Sequence, residues 1–158
     1  MFEVKTQYEY IFEKYGEKLY RLLVAYCKNT ADSEDILQNA FLKLHMTNQK
    51  FETEEHVKNW LYKIAINEAK NLLKRELLYR NKIQEIDVGQ IPEQSIEIYE
   101  CIQKLPAKYR IVILLYYYEE YSIKEIASIL KRKESTIQTQ LQRGREMLKK
   151  FMEGNKNV

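Results

Sequence analysis

"YSIKEIASILKRKESTIQTQLQRGREMLKKF", residues 121–151, divides into two apolar-periodic stretches around the basic triplet Lys131, Arg132 and Lys133. Ser122 followed by Glu125 has capping-box spacing, in which each residue's side chain bonds the other's backbone N–H. Ile126, Ala127, Ile129 and Leu130 make the next turns apolar, and Ala127 is small enough for a close helix crossing. Ser135 and Gln138 offer a second capping box. Ile137, Leu141, Met147 and Leu148 supply the apolar side of a second helix.

Two short capped helices joined by a tight turn match the helix-turn-helix that lays its second helix in a DNA major groove. On that second helix Gln138, Thr139, Gln142 and Arg143 point away from Ile137 and Leu141, where they suit base edges. Lys131, Arg132, Lys133, Arg145, Lys149 and Lys150 suit phosphates. Residues 131–150 carry seven basic and two acidic groups. A helical hairpin used for protein contact fits the same pattern.

The chain has 158 residues, enough for one ordinary domain or two small ones. Four Gly and two Pro are too few for a many-stranded sandwich or barrel, and the apolar and charged residues favour helices. No stretch approaches the roughly 20 apolar residues of a membrane span, and the acidic N-terminus is unlike a signal peptide. These features predict an all-α, cytoplasmic protein without membrane insertion. Cys27 and Cys101 are far apart and belong to no CxxC pair, so they are expected to be small buried hydrophobes. No metal or other cofactor is expected. Net charge is +1 over residues 1–80, −3 over 81–97 and +5 over 98–158.

The acidic stretch 81–97, with Gly89 and Pro92, reads as a linker. The expected organisation is therefore a helical domain over 1–80, a linker over 81–97 and a helix-turn-helix domain over 98–153. In the first half, helices are predicted over Tyr8–Lys28, from a cap at Asp32 or Ser33, and from about Val57 past Leu78. The second has Ile36, Leu37, Ala40, Phe41 and Leu44 as its core positions. In the second half, helices are predicted at Ile98–Lys104 and Ala107–Tyr118, with "IVILLYYY" (111–118) read as buried helix.

"WLYKIAINEAKNLLKRE", residues 60–76, carries the one tryptophan. At about 100° per residue, Leu61, Tyr62, Ala65, Ile66, Ala69, Leu72 and Leu73 share a buried arc. Lys63, Asn67, Lys70 and Lys74 line the other side, bordered by Trp60 and Asn71. That edge offers ammoniums for phosphates, amides for base edges and an indole for stacking, which suits single-stranded or distorted nucleic acid. A core tryptophan beside solvated lysines has the same spacing.

At this point two separated segments resemble one family. "ADSEDILQNAFLKLH" (31–45) followed by "VKNWLYKIAINEAKNLLKRE" (57–76) resembles region 2 of bacterial RNA polymerase sigma factors. "LPAKYRIVILLYYYEEYSIKEIASILKRKESTIQTQLQRGREMLKK" (105–150) resembles region 4. With no room for a region 3, the resemblance is to the extracytoplasmic-function type. It implies a transcription initiation factor whose partners are promoter DNA and the polymerase core, through the beta-prime clamp helices and the beta flap. An anti-sigma factor is a common further partner in the family. By matching position, Asp32, Glu34, Asp35, Gln38 and Phe41 would meet the core. Residues 48–56 match the loop that holds a base flipped from the −10 element. Trp60, Lys63, Asn67, Lys70, Asn71 and Lys74 would face that element. Lys133, Ser135, Thr136, Gln138, Thr139, Gln142 and Arg143 would face the −35 element. The chain departs from the family at Lys131 and Arg132, where a Gly and a small apolar residue are usual, at Lys133 in place of a capping Ser, and at Gln140 in place of an Arg. A basic turn makes a poor apolar plug, so lower stability is expected there.

Two other classes share parts of this pattern. A metal enzyme could draw on His45, Glu52, Glu54 and His56, but their order matches no HExxH-type motif. A helix-turn-helix regulator acting without polymerase would use its first half for a ligand or for dimerisation.

Overall fold

The computed structural model describes residues 1–79 and 96–156, and the expected linker lies almost wholly outside them. The chain divides into two compact units, Met1–Glu85 and Ile86–Val158. The described residues are helical apart from short connections and one isolated bridge.

In the first unit α1 spans Val4–Cys27, α2 Thr30–Met46 and α3 Glu54–Tyr79. Ile11, Tyr15, Leu19, Leu22, Leu23 and Tyr26 bury one side of α1. That side packs on α2 and α3, which also pack on each other. Lys28 ends α1 in the left-handed region, its N–H returning to the Val24 carbonyl. The cap of α2 is Asn29, not Asp32 or Ser33. Asn29 is extended and its Oδ1 accepts the Asp32 N–H at 3.0 Å. The helix thus begins early enough to swallow both expected caps. Asp32 falls in the first turn, where the helix dipole favours a carboxylate. Ser33 is buried and its hydroxyl donates to the Asn29 carbonyl.

Of the expected core positions on α2, Leu37 is only half-buried. On α3 the expected arc is buried from Leu61 to Ala69, while Leu72 and Leu73 are half-buried. The helix begins at Glu54, three residues before the expected start. The α2–α3 loop is therefore residues 47–53, shorter than the 48–56 segment assigned by resemblance. Phe51 in that loop is 3 % exposed, and its carbonyl accepts the Phe2 N–H at 2.8 Å.

In the second unit α4 spans Ile96–Gln103, α5 Ala107–Ile113, α6 Ile123–Leu130 and α7 Glu134–Lys156. α5 continues into a π-helical turn, Leu114–Tyr118, closed by the Glu119 N–H on the Leu114 carbonyl. "IVILLYYY" is buried through Leu115, but Tyr117 and Tyr118 are exposed. α7 is the hub and packs against α4, α5 and α6. Gly144 permits its approach to α5: a Cβ there would stand 3.0 Å from Ile113 Cγ1. Arg110 is buried, and its guanidinium donates to the Leu105 carbonyl at 2.7 Å, closing the α4–α5 turn. Cys27 and Cys101 are buried and form no disulfide. No described helix is long and apolar enough to cross a membrane.

Candidate nucleic-acid interface

Helix α7 is set by the turn before it. The Ser122–Glu125 capping box forms with both bonds at 3.1 Å and starts α6. Lys131 ends α6 in the left-handed region at φ 56°, where the lack of a Cβ makes Gly the easier residue. Arg132 does not act as an apolar plug. It is half-buried; its N–H caps the Ala127 carbonyl and its guanidinium donates to Gln140 Oε1 at 2.8 Å and to the Lys108 carbonyl at 3.4 Å. The two departures at 132 and 140 thus meet. A cation rises from the turn to an amide on α7.

The expected second capping box, Ser135 with Gln138, is absent. The Lys133 carbonyl accepts the Ile137 N–H and so opens the helix, and Ser135 lies within the first turn. Its carbonyl accepts the Thr139 hydroxyl at 3.0 Å. Lys133, Ser135, Thr136, Gln138, Thr139, Gln142 and Arg143 are all exposed. At helical spacing Gln138, Gln142, Ser135 and Thr139 face away from buried Ile137 and Leu141. Arg143 lies on the flank nearer α5. There its guanidinium, together with Lys108, lowers the Tyr109 pKa against the opposing effect of burial. Arg145, expected to suit a phosphate, is exposed on the other flank. Its guanidinium donates to the Tyr117 hydroxyl at 2.5 Å and lies 5.3 Å from the Tyr116 ring centre.

On α3, Asn71 and Lys74 are exposed, while Trp60, Lys63, Asn67 and Lys70 are half-buried. Asn67 Nδ2 donates to the Lys63 carbonyl one turn back at 2.7 Å. The Trp60 ring meets Phe51 edge-on at 5.7 Å, so the indole braces the loop.

On α2, Glu34, Asp35 and Gln38 are exposed and Asp32 is half-buried. Phe41 is not a surface residue. It is 3 % exposed, with the Tyr8 and Phe12 rings at 6.1 and 5.0 Å, because its position on α2 faces α1. Leu42 and Met46 are the exposed apolar residues of that helix, at 55 % and 70 %. Spacing alone did not single them out.

The start of α3 holds a cluster that the sequence did not signal. Glu54 Oε2 accepts from Lys14 Nζ at 2.7 Å and from the Tyr15 hydroxyl at 2.6 Å. Those two donors hold the Glu54 pKa down to about 2, and burial with the bond to Glu54 pushes Tyr15 up to about 12. Glu54 is thus engaged within the fold. His45, another of the four residues named for a metal, meets the Tyr8 ring edge-on at 5.3 Å. Among the described residues no cluster of three or more His, Cys, Asp or Glu could hold a metal ion.

The two units correspond to two halves of one family. Sigma-70 region 2 matches residues 11–77, and Sigma-70 region 4 matches residues 95–148. The chain is 31 % identical to the ECF RNA polymerase sigma factor SigW of Bacillus subtilis, over 89 % of this chain and 86 % of that one. It is 27 % identical to the ECF RNA polymerase sigma-E factor of Haemophilus influenzae, over 91 % and 86 %. In fold it resembles the sigma factor RpoE of Bartonella quintana, solved with the anti-sigma factor NepR. That match has a TM-score of 0.71 at 20 % identity and covers 92 % of this chain and 96 % of the other.

The chain belongs to the sigma-70 family, in its extracytoplasmic-function group. Its role is accordingly that of an RNA polymerase sigma factor in promoter-directed transcription initiation.

Proposed function

We propose that the second unit reads a duplex −35 element through α7 while the first captures an unstacked −10 base and holds the opened strand. The observation that carries this reading is α7 itself: six exposed residues, Ser135, Thr136, Gln138, Thr139, Gln142 and Arg143, five of them polar and uncharged, on a helix that follows a capped partner and a tight basic turn. Gln138, Thr139 and Gln142 are the base readers. Lys133, Lys149 and Lys150 hold phosphates. Arg143 contacts DNA from the edge, on the side of Tyr109.

In the first unit the loop 47–53 receives the base, and Asn71 and Lys74 follow the strand with Lys63, Asn67 and Lys70 at their side. Extruding a base costs a few kcal/mol. Stacking contributes roughly 1–3 kcal/mol per base, enough to offset it. Neither unit has to bind tightly alone, because polymerase fixes their spacing and the first contact raises the effective concentration of the second. Asp35, Gln38, Leu42 and Met46 on α2 form the face for the clamp helices. The beta flap would meet the second unit. An anti-sigma factor is a further partner, by analogy with the complex of the Bartonella protein. The chain acts in the cytoplasm and carries no catalysis of its own.

The test is reconstitution with core polymerase and mapping of transcript starts. The expected result is stable association with core and initiation at starts sharing −35 and −10 sequences. Gln138→Ala and Gln142→Ala relax choice at −35, and Asn71→Ala and Lys74→Ala slow opening. Binding to DNA without core, or none to core, overturns the reading in favour of an independent regulator.

A further inference from the structure

The α2–α3 loop is held unevenly. Asn48, Gln49 and Lys50 are exposed in its first half, whereas the second half is tied to the fold at three places. The Phe51 carbonyl accepts the Phe2 N–H, the Phe51 ring is buried against Trp60, and Glu54, just past the loop, takes two bonds from α1. Lys58 adds a second cation, 5.9 Å from the Tyr15 ring centre and 5.3 Å from that of Tyr62.

We propose that Lys14, Tyr15 and Glu54 form a positioning tie that sets the loop, so that Asn48, Gln49 and Lys50 stand where the unstacked −10 base arrives. The inference rests on the loop reading given under the proposed function. Lys14 and Glu54 are 47 % and 26 % exposed, and ion pairs so open to water contribute little to overall stability. Two donors meeting at one carboxylate oxygen nevertheless fix direction well, because charge-assisted bonds are short and oriented. The geometry therefore constrains where the loop starts more than whether the unit folds. A displaced loop loses capture even with its own side chains intact, since binding to an unstacked base depends on placement.

The test uses holoenzyme reconstituted with the full chain. The probe is a single-stranded oligonucleotide copied from upstream of a transcript start mapped with this holoenzyme, with 2-aminopurine at the captured position. Glu54→Gln and Lys14→Met should each weaken probe capture roughly three- to tenfold, as expected for misplacement of a contact loop. Affinity for core polymerase and thermal stability should stay at the unmodified values. The double variant should be no weaker than either single one, because both remove the same tie. The exchanged pair, Lys14→Glu with Glu54→Lys, should recover most of the loss.

Independent losses that multiply, a parallel fall in core affinity, or no loss at all would overturn the tie. Asn48→Ala and Gln49→Ala separate the two levels. Loss of capture in these with none in the tie variants overturns the tie and leaves the loop reading standing. No loss in either set overturns the loop reading and the tie with it.

Discussion

Arg132 in the turn and Gln140 on α7 hold one another, with guanidinium Nη1 donating to the amide oxygen over 2.8 Å. The bond joins the turn to α7, eight residues on. It replaces the apolar filling expected of a helix-turn-helix turn with a directional contact.

Gln140→Ala should therefore destabilise the second unit by about 0.5–1.5 kcal/mol, the usual contribution of one such bond. Gln140→Glu should preserve the pairing by giving Arg132 a charged acceptor. Denaturant unfolding followed by circular dichroism checks both. Trp60 fluorescence reports only on the first unit and should not move.

Lys131 occupies the left-handed region at φ 56°, which costs a side-chain-bearing residue about 1 kcal/mol relative to Gly. Lys131→Gly should raise the unfolding midpoint of the second unit. It should also weaken DNA binding slightly and uniformly, by removing one phosphate contact. The slope of affinity against salt should fall by about one unit, and a titration across ionic strengths measures it.

Gly144 faces Ile113 at a distance that leaves no room for a branched side chain. Gly144→Val should destabilise the second unit by about 1–3 kcal/mol through overpacking. Pairing it with Ile113→Ala should recover part of the loss if the clash is local. Thermal unfolding of the four variants of the cycle decides this.

Glu54 has a pKa lowered to about 2 by the Lys14 and Tyr15 bonds, below its ordinary 4.5. A depressed carboxylate adds stability above its unfolded pKa, and that stability is lost as pH falls through the folded one. Because the pair is open to water the effect is small: the first unit should weaken only slightly between about pH 4.5 and 2, and Glu54→Gln should remove that slight step while leaving stability at neutral pH essentially unchanged. Trp60 fluorescence against pH reads it directly.

Most of the architecture was legible because it rests on apolar spacing. The buried arc from Leu61 to Ala69, the Ser122–Glu125 box and the buried Ile137 and Leu141 all follow from local rules. Errors fell where a neighbour outbid the local signal. Asn29 preempts Asp32 and Ser33 as a cap because an extended residue just after a left-handed helix end already presents its amide. Phe41 looks like a contact residue on a single helix, yet α1 covers it with Tyr8 and Phe12. The meeting of Lys14 with Glu54, 40 residues apart, has no periodic signature at all. Of the residues expected to face DNA, exposure on α7 follows the sequence well, whereas the half-buried state of Lys63, Asn67 and Lys70 depends on tertiary packing.

The π turn at Leu114–Tyr118 closes over five residues instead of four. One amino acid is therefore surplus to ordinary helical pitch at this place. Removing one residue within it would let the coil return to α-helical pitch while the later helices keep their phase, because the π turn is what absorbs the surplus residue. Alignments of relatives one residue shorter belong with their gap here, within an unbroken helix, and not in the connection to α6. Designers grafting this recognition helix onto another sigma scaffold should carry the whole segment from Ala107, so that rotational phase travels with it.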